Sequence, residues 1–176
     1  MLAPVWLAAL TGVFVIALAF WLVSAASTTT IFVMRHAEKV TANPDDPDPA
    51  LAPAGEARAL ELAQFFGRAP KGQGLEAVVV SEFRRTQDTV RPLANRLGIP
   101  VIVVPAEDTR GTAGRALGEN RGGRVLVVGH SDTVPEIVKE LSGIDVGPMS
   151  EAEYGIVYLV TIPRFSRTAV TRLDLP

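Results

Sequence analysis

The chain has 176 residues, 48% hydrophobic and 20% charged, with no cysteine, two histidines and a formal net charge of -2. That length suits one ordinary domain; the missing cysteine excludes a disulfide scaffold, a thiol enzyme and a thiolate metal site, and the near-neutral balance gives no basic footprint for nucleic acid. The charge is unevenly placed. The first charged side chain is Arg35, so an uncharged leader with linker, residues 1–29, precedes a domain spanning residues 30–176.

Leu2 to Val23 is almost wholly apolar, broken only by Pro4, Thr11 and Gly12, with Trp6 and Trp21 near its ends. At 1.5 Å per residue such a run reaches about 30 Å, and tryptophan favours both membrane interfaces, so the expectation is one transmembrane helix serving as a single-pass N-terminal anchor. The competing reading is a secretory signal cleaved near Ser24-Ala25-Ala26, but the apolar run is long for a signal and no basic residue precedes it. Arg35 and Lys39 follow the run, which by the positive-inside rule places the domain in the cytoplasm. Ser24 to Thr30 reads as a polar linker.

From Ile31 onward short apolar runs alternate with helical periodicity. Ile31–Met34, Ala77–Val80, Val101–Val104 and Val125–Val128 read as strands buried on both faces, hence parallel. Between them, Ala59, Leu62 and Phe66, then Val90, Leu93, Ala94 and Leu97, then Val134, Ile137, Val138 and Leu141, recur at helical spacing, with a weaker glycine-containing helix over Thr109–Asn120. Asn43 to Pro53, with four prolines and three aspartates, is a loop. Two last strands, near Ile156–Ile162 and Thr168–Leu173, have no helix between them and pair antiparallel at an edge. The expected architecture is a three-layer α/β/α sandwich with a mostly parallel sheet and an antiparallel edge.

Both histidines come directly after strands, His36 after Ile31–Arg35 and His130 after Val125–Gly129. The carboxyl edge of an open parallel sheet is where ligands bind, so both are expected at one site. Arg35 and one of Arg84 and Arg85 reach the same edge, and guanidinium groups there suit an anionic group such as phosphate. Thr133-Val134-Pro135-Glu136 has the form of a capping box and opens a helix beside His130, while Asp132 reads as a second cap candidate or as an acid. A nucleophile elbow at Gly129-His130-Ser131 fails, since its last glycine is missing and no histidine follows. A metal site from His36, Glu38, His130 and Asp132 is opposed by the neighbouring arginines.

Arg35-His36-Ala37, Ser81 with Arg85 and Thr89 at intervals of four, and His130 after an apolar strand and glycine resemble the histidine phosphatase, or phosphoglycerate mutase-like, superfamily in its small phosphohistidine-phosphatase-like branch. The turn from Leu51 to Gly55 also looks like the family's equivalent. The resemblance covers roughly Ile31 to Leu141 in the family's order and selects Arg85 over Arg84. It implies a phosphatase acting on phosphate monoesters or phosphohistidine through a phosphohistidine on His36, with Arg35, Arg85, His130 and Ser131 binding the phosphate and no metal or other cofactor. Glu107, in the loop after the third strand, is implied as the proton donor, with Asp132 in reserve. The mutases' asparagine after the signature is not in place, position 42 being Ala42, and their insertions are largely absent, so mutase activity is not expected. The implied partner is a phosphorylated small molecule or phosphoprotein, and the leader's likeness to those of exported members favours the extracytoplasmic side. A different class of reading is a membrane-tethered module that binds phosphorylated ligands without turnover.

Overall fold

The computed structural model describes residues 5–25, 28–43, 45–70, 72–118 and 122–175. The expectations that touch Leu2, Ala26, Pro44 and Asn120 therefore lie in part outside the described residues. The chain runs α1 (Val5–Ala25), β1 (Thr29–Arg35), α2 (Pro53–Phe66), β2 (Ala77–Val80), α3 (Arg84–Leu97), β3 (Val101–Val103), α4 (Thr109–Gly118), β4 (Arg124–Gly129), α5 (Thr133–Ser142), β5 (Ile156–Ile162) and β6 (Ala169–Asp174).

The six strands form one mixed sheet in the order β3-β2-β4-β1-β5-β6. Pairs β1–β4, β2–β4 and β2–β3 are parallel, while β5 runs antiparallel to both β1 and β6. Side chains alternate across the pleat. Ile31, Val33, Val125 and Val127 therefore enter one core with Val134, Ile137 and Val138 of α5 and Ala113 and Ala116 of α4. Met34, Val78, Val80, Leu126 and Val128 enter the other, with Leu62 and Phe66 of α2 and Val90 and Leu93 of α3. Helices thus cover both faces of the sheet, which is why its central strands read as continuous apolar runs rather than as an alternation.

Three expectations need correction. β3 is not buried: Val101 and Val103 are 42% and 51% exposed because β3 is the outer strand, with a neighbour on one side only. The capping box at Thr133 does not form, because Asp132 is the N-cap of α5 and its carboxylate accepts from the Thr133 N–H, while the Thr133 hydroxyl turns back to accept from the His130 N–H. The transmembrane helix expected over Leu2–Val23 is not supported, since among the described residues no helix is long and apolar enough to cross a membrane. α1 has 21 residues and no charged side chain. Large apolar groups of that stretch, Phe14, Ile16 and Trp21 among them, are exposed.

Candidate active site

Adjacent parallel strands set the two histidines side by side. β1 and β4 pair with Arg35 opposite Gly129, and the His36 N–H extends the ladder by donating to the Gly129 carbonyl at 3.0 Å. The next residue on each strand is a histidine, and the ring centroids lie 5.3 Å apart, close to the spacing between neighbouring strands. Both rings line a cavity of about 450 Å³.

His36 is 2% exposed, and its Nδ1 lies 2.7 Å from the Ala37 carbonyl oxygen. A carbonyl only accepts, so Nδ1 carries the proton and Nε2 holds the free lone pair. Burial, reinforced by Arg35, His130 and Arg85, pushes the pKa of His36 from 6.5 down to about 3, against an opposing contribution from the Ala37 hydrogen bond. The ring is neutral at physiological pH, as a nitrogen nucleophile must be. His130 is lowered to about 4, by burial first and Arg85 second, with Asp132 and Glu82 opposing.

The Ser81, Arg85 and Thr89 positions are tied to these histidines by hydrogen bonds. Ser81 Oγ lies 2.9 Å from His130 Nε2 and 2.9 Å from Thr86 Oγ1. Ser81 thus holds one ring nitrogen of His130, while the other, Nδ1, is buried without a partner. Thr89 Oγ1 accepts from the Ala37 N–H at 3.0 Å and donates to the Arg85 carbonyl at 2.7 Å, pinning the turn after β1 to the first turns of α3. Glu38, one residue further, accepts hydrogen bonds from Nε and Nη2 of Arg58 of α2. Burial alone would raise the Glu38 pKa, but Arg58 holds it below the usual carboxylate value. Gly55 allows the close approach of α2, since a Cβ there would collide with the Glu38 carbonyl.

Arg85, rather than the exposed Arg84, lines the cavity, with its guanidinium 4.2 Å above the Phe83 ring and 3.6 Å from Asp48. Burial lowers its pKa in spite of Asp48, from a value so high that the charge is retained. Arg35 lies on the α5 side of the sheet, the same side as Ile31 and Val33. Its Nη1 donates to the Glu151 carbonyl at 2.5 Å and to that of Ser150 at 3.4 Å, its Nη2 is 3.9 Å from the Glu151 carboxylate, and its guanidinium lies 4.4 Å from the Tyr154 ring centroid. Three nitrogens among the described residues are then buried without a hydrogen-bond partner, Arg35 Nε, Arg85 Nε and His130 Nδ1, and all three residues line the same cavity.

Glu107, Ser131 and Asp132 also line it, Asp132 while capping α5. Sequence reasoning missed Asp48, Phe83, Glu151 and Tyr154. Asp48 lies in the proline-rich loop and Glu151 and Tyr154 in the segment between α5 and β5, where no motif or periodicity marks a side chain; Phe83 stood unremarked between Ser81 and Arg85. Among the described residues no group of three or more histidines and carboxylates is placed to hold a metal, so His36, Glu38, His130 and Asp132 do not form such a cluster.

The model of the histidine phosphatase superfamily, branch 1, matches residues 31–106. No curated protein matches the chain. Among solved structures, the protein histidine phosphatase SixA complexed with tungstate superposes with a TM-score of 0.64 at 21% identity, over 82% of this chain and 96% of that one. The native structure of a mycobacterial glucosyl-3-phosphoglycerate phosphatase gives 0.62 at 15% identity, over 85% of this chain and 100% of that one. These likenesses establish a shared fold, and the family model takes in Arg35, His36 and Arg85 and ends before His130.

Proposed function

We propose that the chain, whose residues 31–106 match the model of the histidine phosphatase superfamily, is a phosphatase of the phosphohistidine-phosphatase-like kind, acting on phosphate monoesters or phosphohistidine with His36 as nucleophile. The observation that carries this reading is the set of three buried, unpartnered nitrogens in one cavity. An unsatisfied buried polar group costs about 1–3 kcal/mol, and more when charged. A phosphoryl group supplies oxygens for all three at once. That one solved structure of this fold holds tungstate, a tetrahedral oxyanion, supports the same ligand geometry.

In the proposed reaction His36 Nε2 attacks phosphorus and the bond to the leaving oxygen or nitrogen breaks, giving a phosphohistidine. Arg35 and Arg85 hold the nonbridging oxygens and His130 donates from Nδ1, with Ser131 at the edge of the same pocket; one preorganised donor of this kind is worth on the order of 3 kcal/mol. Glu107 protonates the leaving group, a role worth about a hundredfold or more, then takes a proton from the water that cleaves the P–N bond and releases inorganic phosphate. Asp132 is committed to capping α5, which favours Glu107 over it. No step calls for a metal. The lack of the mutases' asparagine argues against phosphoryl return to a second hydroxyl.

His36→Ala is expected to abolish both turnover and an acid-labile phosphoenzyme; phosphate release surviving that change excludes the mechanism. Glu107→Gln is expected to slow esters with poor leaving groups at least tenfold more than p-nitrophenyl phosphate, whose leaving group needs no proton. Equal losses on both would remove Glu107 from the donor role. Binding without turnover is the competing outcome, shown by saturable phosphate binding with no release from any ester. We place the domain on the extracytoplasmic side, with the apolar leader serving its export. Reporter fusions at the C-terminus, active on one side of the membrane only, test that placement.

A further inference from the structure

The floor and the mouth of the cavity carry opposite charge. Arg35 and His130 are 2% and 8% exposed, each with a buried unpartnered nitrogen, and Arg85 adds the second guanidinium of the floor. Around the mouth stand Glu82, Glu107, Asp132 and Glu151, all exposed and supplied by four segments, those following β2, β3 and β4 and the loop between α5 and β5. Lys39 is the further cation of this wall. A depression of about 370 Å³ continues from Ser131 and Asp132 and adds Glu136 and Asp145; its Lys139 is 3.2 Å from Asp145. The path along which the rest of a substrate must lie is therefore bordered mainly by carboxylates.

We propose that this rim selects phosphate monoesters whose non-phosphate part carries a positive charge, amine-bearing esters, and rejects esters with a second anion near the phosphate. This rests on the phosphatase reading and names its substrate class. The phosphoryl dianion meets buried cations where the effective dielectric is low and attraction is strong, while the remainder stays at the mouth within a Debye length of four carboxylates. Each exposed carboxylate acts weakly. Four of one sign, arriving from different directions, favour an ammonium group and oppose a carboxylate or second phosphate, and such repulsion is an effective source of discrimination.

Three two-carbon esters of similar size test the proposal with the full chain: O-phosphoethanolamine, 2-hydroxyethyl phosphate and 2-phosphoglycolate. At low salt kcat/KM is expected to fall in that order, by about tenfold or more from first to last, and the spread is expected to shrink to roughly threefold in 1 M salt, where the Debye length is about 3 Å. The combined change Glu82→Gln, Asp132→Asn and Glu151→Gln, with Glu107 left in place, is expected to compress the spread likewise at low salt. Intrinsic differences between leaving groups cancel because the same esters are compared across salt and variant. A spread unchanged by both, or a reversed order, overturns the proposal. If the triple variant does not fold, Glu151→Gln alone and the salt series on the unaltered chain decide. Should the chain release phosphate from none of these esters, nor from p-nitrophenyl phosphate or a phosphohistidine protein, the phosphatase reading falls. Titration calorimetry with the same three esters then still reads the order of affinity, and equal binding overturns the charge selectivity by itself.

Discussion

Arg35 meets the cavity with its terminal nitrogens already turned toward the loop between α5 and β5: the Ser150 and Glu151 carbonyls take Nη1, the Glu151 carboxylate stands near Nη2, and Tyr154 supports the guanidinium face. Nε, buried and without a partner, stays open to a ligand. Tyr154 is thus a positioning residue that acts through Arg35, by an attraction worth about 0.5–2 kcal/mol. Tyr154→Leu is expected to lower kcat/KM by roughly 3- to 30-fold and weaken inhibition by inorganic phosphate, while Tyr154→Phe, which keeps the ring, stays within about twofold. Steady-state kinetics on both variants, alongside their thermal midpoints, check this. Loss in Leu and Phe alike would assign the effect to the hydroxyl instead.

At the scale of elements, Thr89 joins β1 to α3. It is fully buried, and its hydroxyl is the acceptor for the Ala37 N–H. Thr89→Val keeps the volume and strands that N–H, so a loss of about 1–3 kcal/mol of stability is expected, with a fall in kcat as the turn carrying His36 loosens. Urea unfolding and activity assays read the two effects separately, and an unchanged midpoint would show that the Ala37 N–H finds another acceptor. The strands were legible because valine and isoleucine runs mark burial on two faces, and the histidines because each follows such a run. The misreadings have equally local causes. β3 is as apolar as β2, and only the strand order tells that it lies outermost; Thr133 and Asp132 are both good caps, and the choice followed from the His130 N–H claiming the threonine hydroxyl. The loop holding Glu151 and Tyr154 has no periodicity, so its approach to Arg35 is a product of tertiary packing. The leader was legible as apolar, but among the described residues no helix is long and apolar enough to cross a membrane.

For the whole molecule, the buried histidines couple stability to pH. Their folded pKa values, about 3 and about 4, lie below the ordinary 6.5. Between those values and 6.5 the unfolded chain binds more protons than the folded one, so stability is complete above about pH 6.5 and falls as pH drops, by about 1.4 kcal/mol per unit for each histidine and up to about 3 for both. Denaturant unfolding from pH 7 to pH 4.5 checks this, and His130→Asn should remove about half of the slope. A flat profile would show that the imidazoles accept protons without unfolding. The strand order has a further consequence for when the site comes into being. β1 pairs with β4 and β5, not with β2, so the strand that carries Arg35 and leads into His36 has neither neighbour until the chain beyond residue 124 is available. Long-range pairings of this kind slow folding. On a ribosome β1 must wait as an unpaired strand, and the cavity at its end cannot take shape before β4 has emerged.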